Sequence, residues 1–356
     1  MLAVIPLRPH DLRDIAMTVL PAAAEPDASA ATGSAPVSRT AVTTQADHNL
    51  VAQHRAFLAA ATSENTRQAY RSAIKHFMDW GGVLPADEAA VIRYLVHFAD
   101  RLSPRTLALR LTALSQWHAY QGFADPAAGA TVRKTLVGIA RTHGRPKKKA
   151  KALPIEDLEL IVAALAAQGT LKAARDNALL QLGFFGGFRR SELTGIEVEH
   201  LAWDAQGIVV TLPRSKTDQE GDGIVKAIPY GAGGACCPAT ALRAWLDAAG
   251  VASGPVFRSI TKWRVVGADG LNPASVNAIL ASAAQLARLD YVPELSSHSL
   301  RRGMATSAHR AGADFRDIKK QGGWRHDGTV QGYIEEAGLF ESNAAGSLLR
   351  SRVKPG

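Results

Sequence analysis

The sequence predicts a multidomain, mainly helical protein, with a helical N-terminal domain and a mixed α/β domain that carries a small antiparallel sheet. Three observations support this prediction. A chain of 356 residues is long enough for two domains. Residues 47–143 repeat apolar side chains at helical spacing without a strand-like segment. Two short β-type segments enter the pattern only after residue 206.

The first 46 residues are predicted to form a disordered tail. Residues 18–46 are rich in Ala, Pro, Ser and Thr and hold few large apolar side chains, so they cannot bury a core. The short apolar opening is broken by Pro6 and Arg8 and is not typical of a signal peptide. Whether translation begins at Met1 or at Met17 is left open by the sequence.

Five helices are predicted in the N-terminal domain, residues 47–143. The second begins after Ser63, a favourable N-cap. The fourth begins with Ser103 and Pro104, a cap followed by proline at the first helical position. The predicted helices lie at 48–62, at 63–80, from about 87, from 103, and from about 126 to 143.

A basic linker and a second domain follow. Residues 144–154, GRPKKKAKALP, combine Gly, Pro and four lysines without apolar periodicity, which is typical of a linker. Residues 155–350 mix helices with two strands, GIVVTL at 207–212 and IVKAIP at 224–229, joined by a polar, turn-like segment. The predicted helices of this domain lie at 155–168, 171–186, 238–249, 273–289, 298–311, 314–321, 327–335 and 338–350.

Positive charge is concentrated before the second domain. Residues 47–150 hold fifteen Lys and Arg against seven Asp and Glu, which is +8 of the chain's net charge of +9 and favours a polyanionic partner. The two cysteines, Cys236 and Cys237, are adjacent and cannot build a disulfide framework or a four-ligand metal site. We therefore expect a cytoplasmic location, no metal and no cofactor. No apolar run is long enough to span a membrane.

Four short segments of the second domain carry candidate chemistry. They are GFRRSEL at 187–193, RSKTD at 214–218, HSLRRG at 298–303 and GGWRHDGTVQGY at 322–333. Each segment alone is weak evidence of function, because an arginine pair usually lies on a solvated face and a lone tyrosine usually packs in the core. Together, and in this order, they resemble the tyrosine recombinase (phage integrase) family. Its pattern is an Arg at a helix start, a Lys on a β-turn, an H-x-x-R pair, a His or Trp, and a Tyr nine residues later.

The resemblance spans about residues 47–350 and is strongest to the Cre recombinase branch. Trp324 stands where His is more common in the family, and SENTRQAYRSAIKHFMDW at 63–80 is similar to the opening of that branch's core-binding domain. The resemblance implies a helical, SAM-like core-binding domain at 47–143 and a tyrosine recombinase catalytic domain at 155–350. It also implies that the C-terminal helix at 338–350 docks into a neighbouring subunit.

The resemblance assigns the central roles to three residues. Tyr333 is the expected nucleophile, and Arg189 and Arg301 are the expected phosphate clamp. An arginine fork binds two oxygens at once and stays protonated, so it suits the negative charge that builds on a phosphodiester during in-line attack. Arg190 and Arg302 are neighbours that helical geometry turns in other directions.

Two residues are expected to move protons. Lys216 would protonate the 5′-oxygen leaving group, with Lys226 on the next strand as its rival. His298 would act as the base for the phenol or donate a hydrogen bond to phosphate. The plain alternatives are an exposed turn lysine and a structural histidine.

Two further residues are expected to support the site. Trp324 would donate its indole N–H to phosphate, although a core tryptophan is the plain alternative. Glu192, one turn after Arg189, would orient Arg189 or His298.

Double-stranded DNA is the expected partner, and ten basic residues are candidates for gripping its phosphates. Three share a face of the second helix, three lie around the start of the fourth, and four lie in the linker. Each alone could belong to a solvated face. The candidates are Arg67, Arg71, Lys75, Arg101, Arg105, Arg110, Lys147, Lys148, Lys149 and Lys151.

The sequence therefore predicts a site-specific recombinase that cleaves and rejoins DNA through a 3′-phosphotyrosyl intermediate, as a homotetramer on two sites with inverted repeats. A type IB topoisomerase or a telomere resolvase shares this chemistry and is the nearest alternative. A non-catalytic DNA-binding protein is the second alternative, although binding alone does not require Tyr333. The motifs do not encode the target sequence or the choice between integration, excision, resolution and inversion.

Overall fold

A computed structural model describes residues 50, 53, 57, 62–146, 148–213, 223–337, 345 and 348. The chain divides at residues 147–148 into two compact units, an N-terminal unit and a C-terminal unit. Both are mainly helical, and the C-terminal unit also contains two small antiparallel sheets. Within the described part of the chain, no helix combines the length and the apolar character needed to cross a bilayer.

Four helices build the described part of the N-terminal unit. The predicted N-caps Ser63 and Ser103 are confirmed, since each accepts a hydrogen bond from a backbone N–H of the first turn. Asp87, near the predicted start of the third helix, caps its helix in the same way. Leu50, Gln53 and Phe57 are helical, and the rest of the predicted helix at 48–62 lies outside the described residues except for Thr62. The helices are α1 (Glu64–Asp79), α2 (Glu88–His97), α3 (Pro104–Tyr120) and α4 (Ala130–His143).

Helix α4 begins four residues later than the predicted start at 126. The cause is local, because the Asp125 carboxylate accepts hydrogen bonds from the Ala127 N–H and the Ser115 hydroxyl at 2.8 Å each. This turn diverts the backbone from a helical course. Phe77, Tyr94 and Leu107 are fully buried at the centre of the four helices.

The C-terminal unit contains eight helices within its described residues. Their positions agree closely with the predicted ones, except that the short α7 was not predicted because five residues are too few for a periodic pattern. The predicted helix at 338–350 lies outside the described residues apart from Ala345 and Leu348, both of which are helical. The helices are α5 (Ile155–Ala166), α6 (Leu171–Phe185), α7 (Arg190–Thr194), α8 (Pro238–Ala249), α9 (Ser275–Leu286), α10 (Ser297–Arg310), α11 (Phe315–Gly322) and α12 (Asp327–Ala337).

Two small sheets accompany these helices. The predicted strands β2 (Gly207–Leu212) and β3 (Ile224–Pro229) pair with each other, and β1 (Leu201–Asp204) adds to the free side of β2. A separate hairpin pairs β4 (Arg258–Ile260) with β5 (Val266–Gly270). Strands β1, β4 and β5 were not predicted, because three to five residues are too few to show an alternating pattern.

Helix α6 lies at the centre of the C-terminal unit. Ten of its residues are buried, including Leu179, Leu182 and Phe184, so it packs on nearly every side. Helices α5, α8 and α10 pack directly against it. The last turn of α6 therefore ends deep in the protein, next to α10, and the candidate site is built there.

Candidate active site

The site begins where α6 ends at two glycines. Gly186 continues helical backbone, and Gly187 adopts a left-handed conformation with φ of +54°. A Cβ atom on Gly187 would lie 2.6 Å from the methyl carbon of Met304 and 3.3 Å from Cα of Gly322. Glycine is therefore required at 187 by both conformation and space. The turn reverses the chain and brings Arg189 to the N-terminus of α7.

Arg189 is held by Glu192. The Arg189 Nη1 atom lies 2.5 Å from Glu192 Oε1, and the Arg189 backbone N–H donates to Glu192 Oε2 at 2.9 Å. The Glu192 side chain is 5% exposed and that of Arg189 is 24% exposed. Glu192 thus contacts Arg189, one of the two partners expected for it, and leaves the guanidinium partly accessible.

Arg301 reaches the same turn from α10. Its Nη1 donates a hydrogen bond to the Gly187 carbonyl, and its guanidinium carbon lies 4.7 Å from the centre of the Trp324 ring. Burial, followed by repulsion from Arg189, lowers the pKa of Arg301 to about 10. Arg301 therefore remains protonated at neutral pH, and two cations converge beside one glycine turn.

Trp324 and Tyr333 lie against each other beside Arg301. Trp324 follows Gly323, which ends α11 in a left-handed conformation with φ of +64°. The Trp324 ring is buried, and its centre lies 5.9 Å from that of Tyr333 at an interplanar angle of 70°. Lys319 and Asp327 form an ion pair at 2.5 Å that joins α11 to α12 across this connection. Tyr333 is half-buried on α12.

Arg302 also contacts the site, although no motif of the sequence indicated this. Its guanidinium carbon lies 5.0 Å from the centre of the Tyr333 ring, and burial lowers its pKa. Arg301 and Arg302 do point in different directions, as expected, but the direction of Arg302 also leads to the site, because α10 packs Arg301 against Trp324 and Arg302 against Tyr333. Arg190, by contrast, is exposed.

His298 lies on the first turn of α10, one turn before Arg301, with its side chain exposed. Its backbone N–H donates to the N-cap hydroxyl of Ser296 at 3.3 Å. Lys216 falls in residues 214–222, outside the described part of the chain. The structure therefore brings together Arg189, Glu192, Arg301, Trp324 and Tyr333, and it leaves the position of Lys216 open.

Lys226, the rival of Lys216, is buried beneath the arginines. Its side chain lies on β3 at 2% exposure and donates from Nζ to the Gly186 carbonyl at 2.7 Å. Burial, followed by repulsion from Arg301, lowers the pKa of Lys226 to about 7. A sequence pattern could have located it, because Lys226 is in phase with the inward-facing Ile224 and Ile228.

The basic residues of α1 are engaged with acids on their own helix. Arg67 and Arg71 lie 2.7 and 2.5 Å from Glu64, and Lys75 lies 2.8 Å from Asp79. Exposed ion pairs of this kind contribute about 0–1 kcal/mol. The basic side chains can therefore exchange their carboxylate partner for a DNA phosphate with little loss of free energy.

Arg110 is placed differently from the other candidates. Its Nη1 lies 2.6 Å from Nδ1 of His76 and 3.0 Å from the Tyr94 hydroxyl, so it belongs to a half-buried polar cluster. Burial and the charge of Arg110 lower the pKa of His76, which favours the neutral imidazole as acceptor. Arg101 and Arg105 remain exposed.

The linker lysines also differ from one another. Lys148 and Lys149 are exposed, and Lys147 lies outside the described residues. The Lys151 ammonium lies 3.7 Å from the centre of the Tyr291 ring, and its backbone N–H donates to the Glu294 carbonyl at 3.1 Å. Lys151 therefore fastens the start of the C-terminal unit to its own domain.

Comparison with known proteins identifies relatives over most of the chain. The phage integrase family matches residues 151–338. An integrase/recombinase described as a xerD homolog, from Selenomonas ruminantium, is 36% identical over 295 residues, which cover 81% of this chain and 86% of that protein. The tyrosine recombinase XerC of Mycobacterium leprae (strain TN) is 28% identical over 301 residues, which cover 79% of this chain and 91% of that protein.

Solved structures share the fold. The XerH site-specific recombinase bound to palindromic difH substrate, in a post-cleavage complex, has a TM-score of 0.57 at 16% identity and covers 81% of this chain and 83% of that one. A lambda integrase tetramer bound to a Holliday junction has a TM-score of 0.53 at 15% identity and covers 82% of this chain and 78% of that one.

Proposed function

Because this chain belongs to the phage integrase family, we propose that the site around Tyr333 is the active site, where a DNA strand is joined covalently to the protein and then released. The chain is a tyrosine recombinase, an enzyme of site-specific recombination that cleaves and rejoins DNA. One observation supports the placement of the site above all others. Arg301 bonds to the Gly187 carbonyl, two residues before Arg189, and packs on Trp324, which in turn contacts Tyr333.

Cleavage begins with the phenol oxygen of Tyr333 attacking the scissile phosphorus. A bond forms between Tyr333 Oη and phosphorus while the bond from phosphorus to the 5′-oxygen breaks. His298 accepts the phenol proton, and Lys216 gives a proton to the departing 5′-oxygen, which leaves as a hydroxyl. Rejoining is the reverse reaction, in which the 5′-hydroxyl of the partner strand displaces Tyr333.

Arg189 and Arg301 stabilise the negative charge of this reaction. The two guanidinium groups have fixed directions, since Glu192 holds one and the Gly187 carbonyl holds the other. Donors fixed before the charge develops need no reorganisation during the reaction, which is the most effective form of electrostatic stabilisation. Trp324 packs against the Arg301 guanidinium and donates its indole N–H to phosphate.

Double-stranded DNA is the substrate, and the exposed members of the ten basic candidates grip its phosphates. Arg101, Arg105, Lys148 and Lys149 are exposed in the structure. The ion-paired residues of α1 change partners from carboxylate to phosphate when DNA arrives. These contacts position the duplex and make affinity depend on salt, without reading sequence.

The active assembly in this proposal is a homotetramer on two DNA sites with inverted repeats. The C-terminal segment at 338–350, which lies outside the described residues except for Ala345 and Leu348, docks into the neighbouring protomer. Head-to-tail exchange of this kind closes into a ring. The proposal also includes membership of the Cre branch, which Trp324 supports. It includes a cytoplasmic location, which the two free cysteines support.

A suicide substrate tests the active site. A duplex nicked near the cleavage position loses the 5′-hydroxyl needed for rejoining, so the wild type should accumulate a 3′-linked covalent adduct. Tyr333→Phe should abolish the adduct and leave DNA affinity within a few-fold, since one hydroxyl is lost. Tyr230→Phe, an exposed tyrosine of the same unit, is the matched control and should form the adduct normally. An adduct that persists in Tyr333→Phe would overturn the assignment.

A further inference from the structure

Three successive carbonyls at the end of α6 each accept a hydrogen bond from a side chain of a different element. The Phe185 carbonyl accepts from Gln321 Nε2 at 2.9 Å, and the Gly186 carbonyl accepts from Lys226 Nζ at 2.7 Å. The Gly187 carbonyl accepts from Arg301 Nη1. We call these three donors, from α11, β3 and α10, the carbonyl clamp.

The clamp supplies partners that the helix itself cannot provide. The last carbonyls of an α-helix receive no hydrogen bond from an N–H of the same helix. A buried carbonyl that lacks a hydrogen-bond donor is unfavourable. Solvent serves this purpose at an exposed end, but Gly186 and Gly187 are buried. The clamp therefore fixes the backbone two residues before Arg189, and the direction in which Arg189 leaves the turn depends on it.

Lys226 is a destabilising donor for the Gly186 carbonyl. Its ammonium is buried near two other cations, Arg301 and Arg189, with Glu192 as the facing counter-charge. A buried cation beside like charges opposes folding, and an apolar side chain of the same length would avoid that cost. Groups of this kind concentrate at functional sites.

Gln321 extends the clamp toward the other half of the site. Its Nε2 also lies 3.2 Å from the Ala227 carbonyl, next to Lys226 on β3. Three residues later the chain reaches Trp324, which packs against Arg301 and Tyr333. A single side chain thus joins the end of α6, the strand that carries Lys226, and the segment that leads to the nucleophile.

We propose that Lys226 and Gln321 are positioning residues for strand cleavage, which act by holding the Phe185–Gly187 turn so that Arg189 and Arg301 address the same phosphate. The inference rests on the proposed function, because it concerns the same site. Neither residue is assigned contact with DNA.

The test measures single-turnover cleavage of a saturating nicked duplex by Lys226→Met and Gln321→Met. Both substitutions keep an unbranched side chain of similar length and remove the donor. Cleavage should fall about 10- to 100-fold, since small misplacements of catalytic groups reach about 10²-fold, and DNA affinity should stay within about threefold of the wild type. Lys320→Met, an exposed neighbour of Gln321, is the matched control and should cleave normally. Wild-type cleavage by both clamp variants would overturn the proposal.

Two further readouts separate positioning from other roles. In an Arg189→Lys background, Lys226→Met should cost less than about threefold, because residues that act through one another are not additive. Fully additive losses would contradict action through Arg189. A substrate with sulfur at the 5′-bridging position needs no proton donor, so it should restore a proton-donor variant and leave Lys226→Met slow. Restoration of Lys226→Met by this substrate would make Lys226 the proton donor and overturn its positioning role.

The controls keep the two proposals apart. Circular dichroism and the thermal midpoint report whether Lys226→Met folds, and Gln321→Met, at a half-exposed position, carries the same test if it does not. Failure of the wild type itself to form an adduct would contradict the proposed function. Normal adduct formation by the wild type and by both folded clamp variants would contradict only the role of the clamp.

Discussion

Arg302 packs its guanidinium over the ring of Tyr333, with 5.0 Å between the guanidinium carbon and the ring centre. A cation over an aromatic face contributes about 0.5–2 kcal/mol. The Tyr333 ring therefore contacts two side chains, Arg302 and Trp324.

The first prediction concerns this contact. Arg302→Met should slow adduct formation about 2- to 30-fold, the range that corresponds to the cation–aromatic energy. DNA affinity should change little. Arg190→Met removes an exposed arginine of the same unit and should react like the wild type. Single-turnover cleavage of a nicked duplex measures both, and equal rates for the two variants would contradict a role for Arg302.

The second prediction concerns the phosphate clamp. Arg189→Lys and Arg301→Lys keep a positive charge but lose the planar fork, so cleavage should fall on the order of 10²-fold or more. Arg301→Lys should also loosen the Gly187 turn, because its hydrogen bond to the carbonyl is lost. The same cleavage assay serves here. A larger loss of cleavage rate in Arg190→Lys than in Arg189→Lys would assign the phosphate-binding role to Arg190 instead of Arg189.

The third prediction concerns pH and Lys226. Its pKa of about 7 in the folded protein lies below the usual value for an exposed lysine. Below pH 7 the folded protein keeps the charged ammonium buried, and the free energy of unfolding is lowered by the full desolvation penalty. Above pH 7 the folded protein releases the proton while the unfolded chain keeps it, so stability rises by about 1.4 kcal/mol per pH unit until the unfolded lysine also titrates.

The thermal midpoints of the wild type and of Lys226→Met, measured at pH 6 and pH 9, test this dependence. The thermal midpoint of the wild type should rise relative to that of the variant from pH 6 to pH 9, because only the wild type carries the titrating lysine. A difference in midpoint that does not change with pH would show that Lys226 keeps an ordinary pKa.

The fourth prediction separates two arginines of α3. Arg105 is exposed, so Arg105→Ala should weaken binding to every DNA sequence alike and reduce the salt dependence by about one counterion. Arg110 instead bonds to His76 and Tyr94, so Arg110→Met should lower the thermal midpoint, with a loss of about 1–3 kcal/mol for the broken polar cluster. Binding across a salt series and thermal unfolding measure the two effects, and an exchange of these phenotypes would contradict the placement of Arg110.

The fifth prediction concerns assembly. A chain truncated after Glu336 should still bind a single DNA site and should fail to form the four-protomer complex on two sites, because the exchanged segment has been removed. Mass photometry with one and with two sites distinguishes these species. Normal pairing of two sites by the truncated chain would contradict the exchange and favour a topoisomerase-like enzyme that acts alone.

Local chemistry explains which parts of the fold could be predicted. Ser63, Asp87 and Ser103 begin their helices by accepting a hydrogen bond from the residue three positions later, so the sequence alone locates those helix starts. Strand β1 depends instead on pairing with β2. Four residues show no periodicity of their own, and this strand could not be predicted.

The same distinction applies to the site. The order and spacing of the motifs selected Arg189, Arg301, Trp324 and Tyr333, which the structure brings together. Gln321 and Arg302 show no comparable pattern, because their contacts are made with residues remote in sequence or on another helix. Their roles follow only from packing.

The carbonyl clamp has a consequence for the synthesis of the protein. Its donors lie 40, 114 and 136 residues after the carbonyls that they bind, and the nucleophile follows the last donor. Contacts that distant form late in folding. A nascent chain on the ribosome therefore lacks an assembled cleavage centre until almost its entire length has emerged. Incomplete translation products would therefore lack the strand-cleavage activity that could damage the genome of the cell that makes them.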